Sequence, residues 1–147
     1  MKIFLDTNVV MDYLVQVGRP NCEATNQLLS AIKQHPWLVA YISVQSLTDC
    51  AFFFTKKSMT SNDYYLSPIR SLISFVRLRP MMEQNAYEAL SGEFSDFEDE
   101  MQLRCAIDAD CAYFITGDKE ILEHQPFKLI KAMHPAEFLA IAASQPH

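Results

Sequence analysis

No stretch of this 147-residue chain approaches the roughly 18 to 20 apolar residues that a membrane helix needs. The opening run Met1-Lys2-Ile3-Phe4-Leu5 is too short for a signal-peptide core and is cut by Asp6. A cytoplasmic protein without a membrane partner is therefore expected. The cysteines Cys22, Cys50, Cys105 and Cys111 form no CxxC pair, and no histidine sits at zinc-finger spacing. That excludes a structural zinc site and points to reduced thiols in or near the core. His35, His124, His134 and His147 fall in loops, at a helix start or at the terminus, and are not expected to ligate metal. A basic excess is missing as well: the net charge is −6, which is not the footprint of a nucleic-acid binder. Negative charge gathered in one place and covered by a cation would still permit one. The scattered Lys56, Lys57, Arg70, Arg77, Arg79 and Arg104 would then give only modest, salt-sensitive affinity. Repeats, low-complexity tracts and linkers are absent too, so residues 1–147 read as a single domain.

What is present is an ordinary globular composition, 50% hydrophobic and 20% charged, in a chain long enough to bury a core. Lys2 to Leu5 reads as a short buried strand, and Asn8 to Val15 carries Val9, Val10, Tyr13 and Leu14 at helical spacing. Asn21 is a plausible N-cap for a helix to Gln34. Trp37 to Ile42 is the second strand. Ser43 caps a helix through Lys57 with Leu47, Cys50, Ala51 and Phe54 as its apolar stripe. A helix from Ser61 or Asn62 to Ile73 precedes a third strand at Phe75 to Leu78, and Pro80 to Leu90 is helical. Asp96 looks like the N-cap of a helix ending near Ala109. Cys111 to Ile115 and Phe127 to Ile130 read as the last strands, and Pro135 opens the final helix. This alternation predicts an α/β fold, a three-layer α/β/α sandwich around a mostly parallel five-stranded sheet. Ligands bind such sheets beyond the carboxyl ends of the strands, where the strand order reverses.

Asp6 ends the first strand and Asp118 follows the fourth, so with those strands adjacent the two acids face one crevice. Asp99 begins the apolar stripe Leu103, Ala106, Ile107 of its helix, whereas Glu100 faces Arg104 at i,i+4 as a solvated pair. Asp49 lies at the edge of a buried stripe. Each acid has a plainer alternative. Asp6-Thr7-Asn8 also suits a simple strand-to-helix turn, Asp118 a cap on Lys119 to Glu123, and Asp99 the positive end of a helix dipole. Asp49 also has Lys56 two turns on as a structural partner, and Asp12 suits support of the first helix. Together, however, four inward acids without matching basic partners repel one another unless a divalent cation neutralises them. That points to a metal-dependent hydrolytic site. A phosphoacceptor receiver domain fits less well, because Phe75 to Leu78 ends with no acid.

The segments Phe4-Leu5-Asp6-Thr7-Asn8-Val9-Val10-Met11-Asp12, Ser43-Val44-Gln45-Ser46-Leu47-Thr48-Asp49, Asp96-Phe97-Glu98-Asp99-Glu100-Met101-Gln102 and Ile115-Thr116-Gly117-Asp118-Lys119 span nearly the whole chain. In sequence and order they resemble the PIN-domain nucleases, the family that includes VapC-type toxins. The resemblance implies Asp6, Asp49, Asp99 and Asp118 as the catalytic acids, with Asp6, Asp99 and Asp118 on the metal and Thr7, Asn8 and Thr116 as polar supports. Asp49 stands where a longer Glu is common, and Gly117 stands where a basic residue is frequent, removing one phosphate contact. Lys56, Lys57 and Arg104 are weaker candidates for substrate phosphate. One or two Mg²⁺ or Mn²⁺ ions suit this all-oxygen set. The implied activity is endoribonucleolytic hydrolysis leaving a 5′-phosphate and a 3′-hydroxyl. The implied partners are RNA, a small antitoxin and a second copy of the chain. The alternative is a non-catalytic PIN-like scaffold.

Overall fold

Ile3, Phe4 and Leu5 are all fully buried, which a strand achieves only when helices cover both faces of its sheet. The computed structural model describes residues 1–15, 18–57, 62–92, 96–124 and 129–144, with Lys57, Asn62 and Asp63 described by backbone alone. In chain order the elements are β1 (Lys2–Leu5), α1 (Thr7–Val15), α2 (Cys22–Gln34), β2 (Val39–Ser43) and α3 (Val44–Phe52). A π-helical turn, Phe53–Lys57, extends α3. Then come α4 (Asn62–Ile73), β3 (Arg77–Arg79), α5 (Glu83–Leu90), α6 (Phe97–Asp108), β4 (Tyr113–Ile115), α7 (Lys119–Glu123), β5 (Lys131–Met133) and α8 (Pro135–Ala143). The strands form one sheet in the order β3-β2-β1-β4-β5, and every pairing is parallel. The expected element order and layering are therefore present, and the sheet is wholly rather than mostly parallel.

Alternation along the strands divides the core in two. Ile3, Leu5, Ala40, Ile42 and Ile115 pack with residues of α1 to α4 and with Phe138 of α8. Phe4, Phe114 and Ala132 pack the other way, against Leu103 and Ala106 of α6 and Ile121 of α7. The Phe4 and Phe114 rings stack at 5.8 Å between centroids. Strand order reverses at β1: β2 and β3 lie to one side of it, β4 and β5 to the other. The crevice beyond the ends of β1 and β4 is thus the ligand position that this architecture favours. Among the described residues no helix is long and apolar enough to cross a membrane.

Several boundaries differ from the sequence reading. The third strand is Arg77–Arg79 rather than Phe75 to Leu78. The N–H groups of Phe75 and Val76 are spent on Leu72 O, at 3.2 and 3.0 Å, where they close α4. β3 is an edge strand and needs no apolar run, so hydrophobicity marked the packed residues rather than the paired ones. The same holds for β5, where Ile130 is buried in the core but pairing begins at Lys131; Phe127 lies outside the described residues. β2 runs Val39–Ser43, shifted beyond Trp37, and β4 begins at Tyr113 rather than Cys111. Asn21 stands at the N-cap of α2 but makes no side-chain cap; its Oδ1 meets His134 Nε2 at 3.2 Å instead. Cys50, Cys105 and Cys111 are buried free thiols, as expected.

Candidate active site

The crevice is built from two strand ends stitched together by hydrogen bonds. Asp6 leaves β1 with its N–H still on Ile115 O at 2.9 Å, one residue beyond the strand. Its carboxylate is 3% exposed and collects three donors. The Thr7 N–H reaches Oδ1 at 2.8 Å, while Asn8 Nδ2 and the Thr116 hydroxyl reach Oδ2 at 2.6 and 2.8 Å. Thr116 Oγ1 in turn accepts from Asn8 Nδ2 and from the Asp118 N–H, each at 3.0 Å. The Gly117 N–H donates to Asn8 Oδ1, also at 3.0 Å. The Asp-Thr-Asn and Thr-Gly-Asp segments, more than a hundred residues apart, therefore form one network around Asp6.

Asn8 and Thr116 hydrogen-bond the Asp6 carboxylate through their side chains. Thr7 does so only through its backbone. Its hydroxyl shares a hydrogen bond with Ser46 Oγ at 2.8 Å and accepts from Gln102 Nε2 at 3.0 Å. A side chain at Gly117 would place Cβ 2.6 Å from Asn21 Nδ2, so a basic residue there would require Asn21 to shift.

Two further acids approach on helix starts. Asp96 caps α6, accepting from the N–H groups of Glu98 at 2.8 Å and Asp99 at 3.2 Å, and this presents Glu98 and Asp99 in the first turn. Asp118 caps α7 through Oδ1, from Glu120 N–H at 2.8 Å and Ile121 N–H at 3.4 Å. The cap reading of Asp118 is thus correct, and it coexists with a position beside Asp6.

Electrostatics bind the group together. Burial pushes the Asp6 carboxyl up to about 6 against the Thr116 and Thr7 hydrogen bonds, and the charges of Glu98 and Asp118 raise it further. Asp99 is pushed to about 7, first by burial and then by Asp6, Asp96, Asp118 and Glu98. Glu98 is raised by burial and by the charges of Asp49 and Asp96. Asp6, Asp99 and Asp118 therefore share one field. Asp49 joins it through Glu98, and its own Oδ1 accepts from Gln45 Nε2 at 2.8 Å.

No cation offsets this field among the described residues. The ion pairs there are Lys2–Asp110, Arg19–Asp12 and Arg104–Glu100. Asp12 is thereby explained as a buried partner of Arg19 rather than a ligand. Among the same residues, no three His, Cys, Asp or Glu side chains are gathered tightly enough to enclose a metal ion. The chemistry of the donor set still suits a hard divalent cation: it is all carboxylate oxygen, and Asp99 is raised partly by the charges of Asp6 and Asp118.

One expectation fails here. Glu100 is paired with Arg104, Nε to Oε2 at 3.2 Å, but is 1% exposed rather than solvated. The reason is that α6 packs against the sheet on one side and α5 on the other. A Cβ at Gly92, just beyond α5, would fall 2.2 Å from the Glu100 carboxyl carbon. Arg104 is thus tied to a buried acid, which weakens it as a phosphate contact. Lys56 is exposed on the π-helical turn, and the side chain of Lys57 lies outside the described residues.

The sequence reading also missed Gln102. It is 1% exposed, and its Nε2 donates to Thr7 Oγ1 at 3.0 Å and Ser46 Oγ at 3.3 Å, joining α6 to the ends of β1 and β2. The signal was legible: a glutamine one turn after Asp99, beside Leu103 on the inward face. Gln102→Ala is expected to lower the unfolding free energy by roughly 0.5–1.5 kcal/mol, the net worth of a buried hydrogen bond, since Thr7 and Ser46 keep the bond to each other. Urea unfolding of the two proteins measures it, and an unchanged midpoint would remove Gln102 from the site's support.

With the geometry in hand, the chain was compared with known proteins. Residues 2–120 match the sequence profile of the PIN domain. The chain belongs to the PIN-domain family. No curated protein sequence matches it. Among solved structures, VapBC2 from Rickettsia felis, bound to a DNA fragment from its promoter, is similar with a TM-score of 0.65 at 14% identity, covering 91% of this chain and 98% of that one. VapC20 from Mycobacterium tuberculosis, a sarcin-ricin loop cleaving toxin, is similar with a TM-score of 0.58 at 16% identity, covering 79% and 91%. At these identities the likeness establishes the shared PIN fold, which agrees with the sheet order and layers described above.

Proposed function

We propose that this PIN-domain protein is a metal-dependent endoribonuclease. What supports the reading is the hydrogen-bonded network that joins Asp6 and Asp118 at the ends of β1 and β4, with Asp99 at the start of α6 near enough for their charges to raise it, and no described cation paired with any of the three. These three would hold Mg²⁺ or Mn²⁺, with Asp49 contributing through Glu98. A bound ion supplies Lewis-acid charge for a phosphodiester and makes water acidic enough to attack at neutral pH. The chain supplies position. The donors from Thr7, Asn8 and Thr116 fix the Asp6 carboxylate, while the caps at Asp96 and Asp118 fix the starts of α6 and α7. No histidine serves as general acid or base, and the products expected are a 5′-phosphate and a 3′-hydroxyl. Lys56 is the exposed cation retained for substrate phosphate. The VapBC2 and VapC20 likenesses support a toxin role with a small antitoxin as partner; a homodimer is the assembly expected from the family resemblance alone.

The test is cleavage of a mixed-sequence RNA, labelled at either end, with Mn²⁺, with Mg²⁺ and with EDTA. Cleavage in either metal that EDTA abolishes is expected, with 5′-phosphate on the downstream fragment. Equal cleavage in EDTA would overturn the metal assignment. No cleavage in any condition would favour the scaffold reading, in which Asp96 and Asp118 merely cap helices.

A further inference from the structure

Beside the acids lies a cavity of about 340 Å³ lined by Gln45 and Asp49 of α3, Met81, and Phe97, Glu98 and Met101 of α6. That volume is near the lower bound of about 300 Å³ for pockets that take small organic groups. Its apolar surface comes from two methionines and the ring of Phe97, which is 49% exposed at the first position of α6. Among the described residues no lysine or arginine lines it, so a phosphate finds no partner among them. What it does offer is acceptors. The Glu98 and Asp49 carboxyls both line it, beside the Gln45 amide that donates to Asp49 Oδ1 at 2.8 Å. Such a pair is suited to a flat, apolar group that brings its own N–H donors. Glu98 also precedes Asp99 in the first turn of α6, which sets the cavity next to the metal-site acids.

We propose that this cavity is a base-binding subsite, receiving a guanine of the RNA next to the scissile bond. The assignment rests on the nuclease reading for the identity of the polymer. Unstacked bases are held by an aromatic face together with hydrogen bonds to the Watson–Crick edge. Here Phe97 supplies the face and the paired carboxyls the acceptors. Guanine presents two adjacent donors on that edge, N1–H and the exocyclic amine, where adenine, cytosine and uracil each present a single donor group. The carboxylate rim also keeps the neighbouring phosphates out of the cavity, so the base enters and the backbone stays beside the metal-site acids.

The experiment uses the full chain carrying Asp6→Asn, to prevent cutting, with ¹³C-methyl methionine. The probes are uridine hexanucleotides containing one central guanosine, inosine or adenosine, and an all-uridine control. The guanosine hexamer is expected to shift the methyl signals of Met81 and Met101. It should bind about 5- to 100-fold more tightly than the all-uridine hexamer, the discrimination that a bidentate contact to a base edge gives. Inosine, lacking the amine, falls between them. Phe97→Ala should remove the advantage while Phe97→Tyr keeps it, and Glu98→Gln should weaken the guanosine hexamer selectively. Equal affinity for all hexamers, or unmoved Met81 and Met101 signals, would overturn the assignment. So would N-acetyl-argininamide shifting those two methyls when no hexamer does, which would give the cavity to a side chain of a protein partner. Guanine-selective binding by a wild-type protein that cuts no RNA would sustain the subsite and refute the nuclease. RNA cleavage without base preference would do the reverse.

Discussion

Asp6→Asn and Asp99→Asn are each expected to lower the rate of Mn²⁺-dependent RNA cleavage by more than about 100-fold, while the protein stays folded. Residues that only orient a metal's ligands typically cost 10- to 100-fold when removed, so loss of a ligand should exceed that. Asp6 is the most exacting position because all its surroundings are donors: the Thr7 N–H, Asn8 Nδ2 and the Thr116 hydroxyl. An asparagine there removes the charge and turns one of its own N–H groups toward a donor. Thr116→Val should fall within the milder range, since it removes one hydrogen bond to Asp6 and the acceptor for the Asp118 N–H but leaves every acid in place. Asp49→Asn should be milder than Asp6→Asn, because Asp49 reaches the group through Glu98. Asp118→Asn should lower the rate without loosening α7, since asparagine caps a helix as well as aspartate does. Initial rates on an end-labelled RNA measure the series. Rates for Asp6→Asn and Asp99→Asn equal to wild type would detach these acids from catalysis and point to a contaminating nuclease.

The features legible in the sequence were those with a strong local cause. Ile3-Phe4-Leu5 is uniformly apolar because both its faces are covered. Ser43, Asp96 and Pro135 announce helix starts, and all three stand where expected. Asp6 and Asp118 were found by placing acids at the ends of strands whose adjacency the element order implied, and β1 does pair with β4. What escaped was set by contacts between distant elements. The burial of Glu100 depends on α5 covering a second face of α6, which the i,i+4 spacing to Arg104 gives no sign of. The nearness of Glu98 to Asp49 depends on how α6 meets α3. The edge strands β3 and β5 were misplaced because an edge strand pairs through its backbone and leaves much of its side-chain surface exposed, so its residues carry little pattern.

Without divalent cation, the protein should be most stable at mildly acidic pH and lose stability as the pH rises from 5 to 8. The direction follows from linkage. Asp6 and Asp99 sit at about 6 and about 7 in the folded chain, above an ordinary value of 3.8. The folded state therefore binds more protons than the unfolded state between those limits. The stability from these protonated groups is complete below the ordinary value and is lost as the pH climbs through 6 and then 7. For the buried Asp6 the whole loss amounts to about 3 kcal/mol, of which about half falls between pH 5 and 8. Asp99 adds to this, though it is only half-buried and solvent screening reduces its share. In a domain of this size the Asp6 part alone corresponds to a fall in Tm of roughly 3–6 °C over that range. Divalent cation should act in the opposite sense, because the ion replaces the protons that the carboxylates release. At pH 8, Mn²⁺ at about a hundred times its dissociation constant would return about 2.7 kcal/mol, whereas at pH 5 protons compete and the gain shrinks. Thermal melts at pH 5, 6, 7 and 8, with Mn²⁺ and with EDTA, give the full surface, and Asp6→Asn and Asp99→Asn should each flatten its pH slope. A metal-free Tm that stays level across this range, joined to an absence of Mn²⁺ stabilisation at pH 8, would mean that the acids neither repel one another in the folded chain nor gather round an ion. This readout needs no RNA, so it tests the metal site independently of any cleavage.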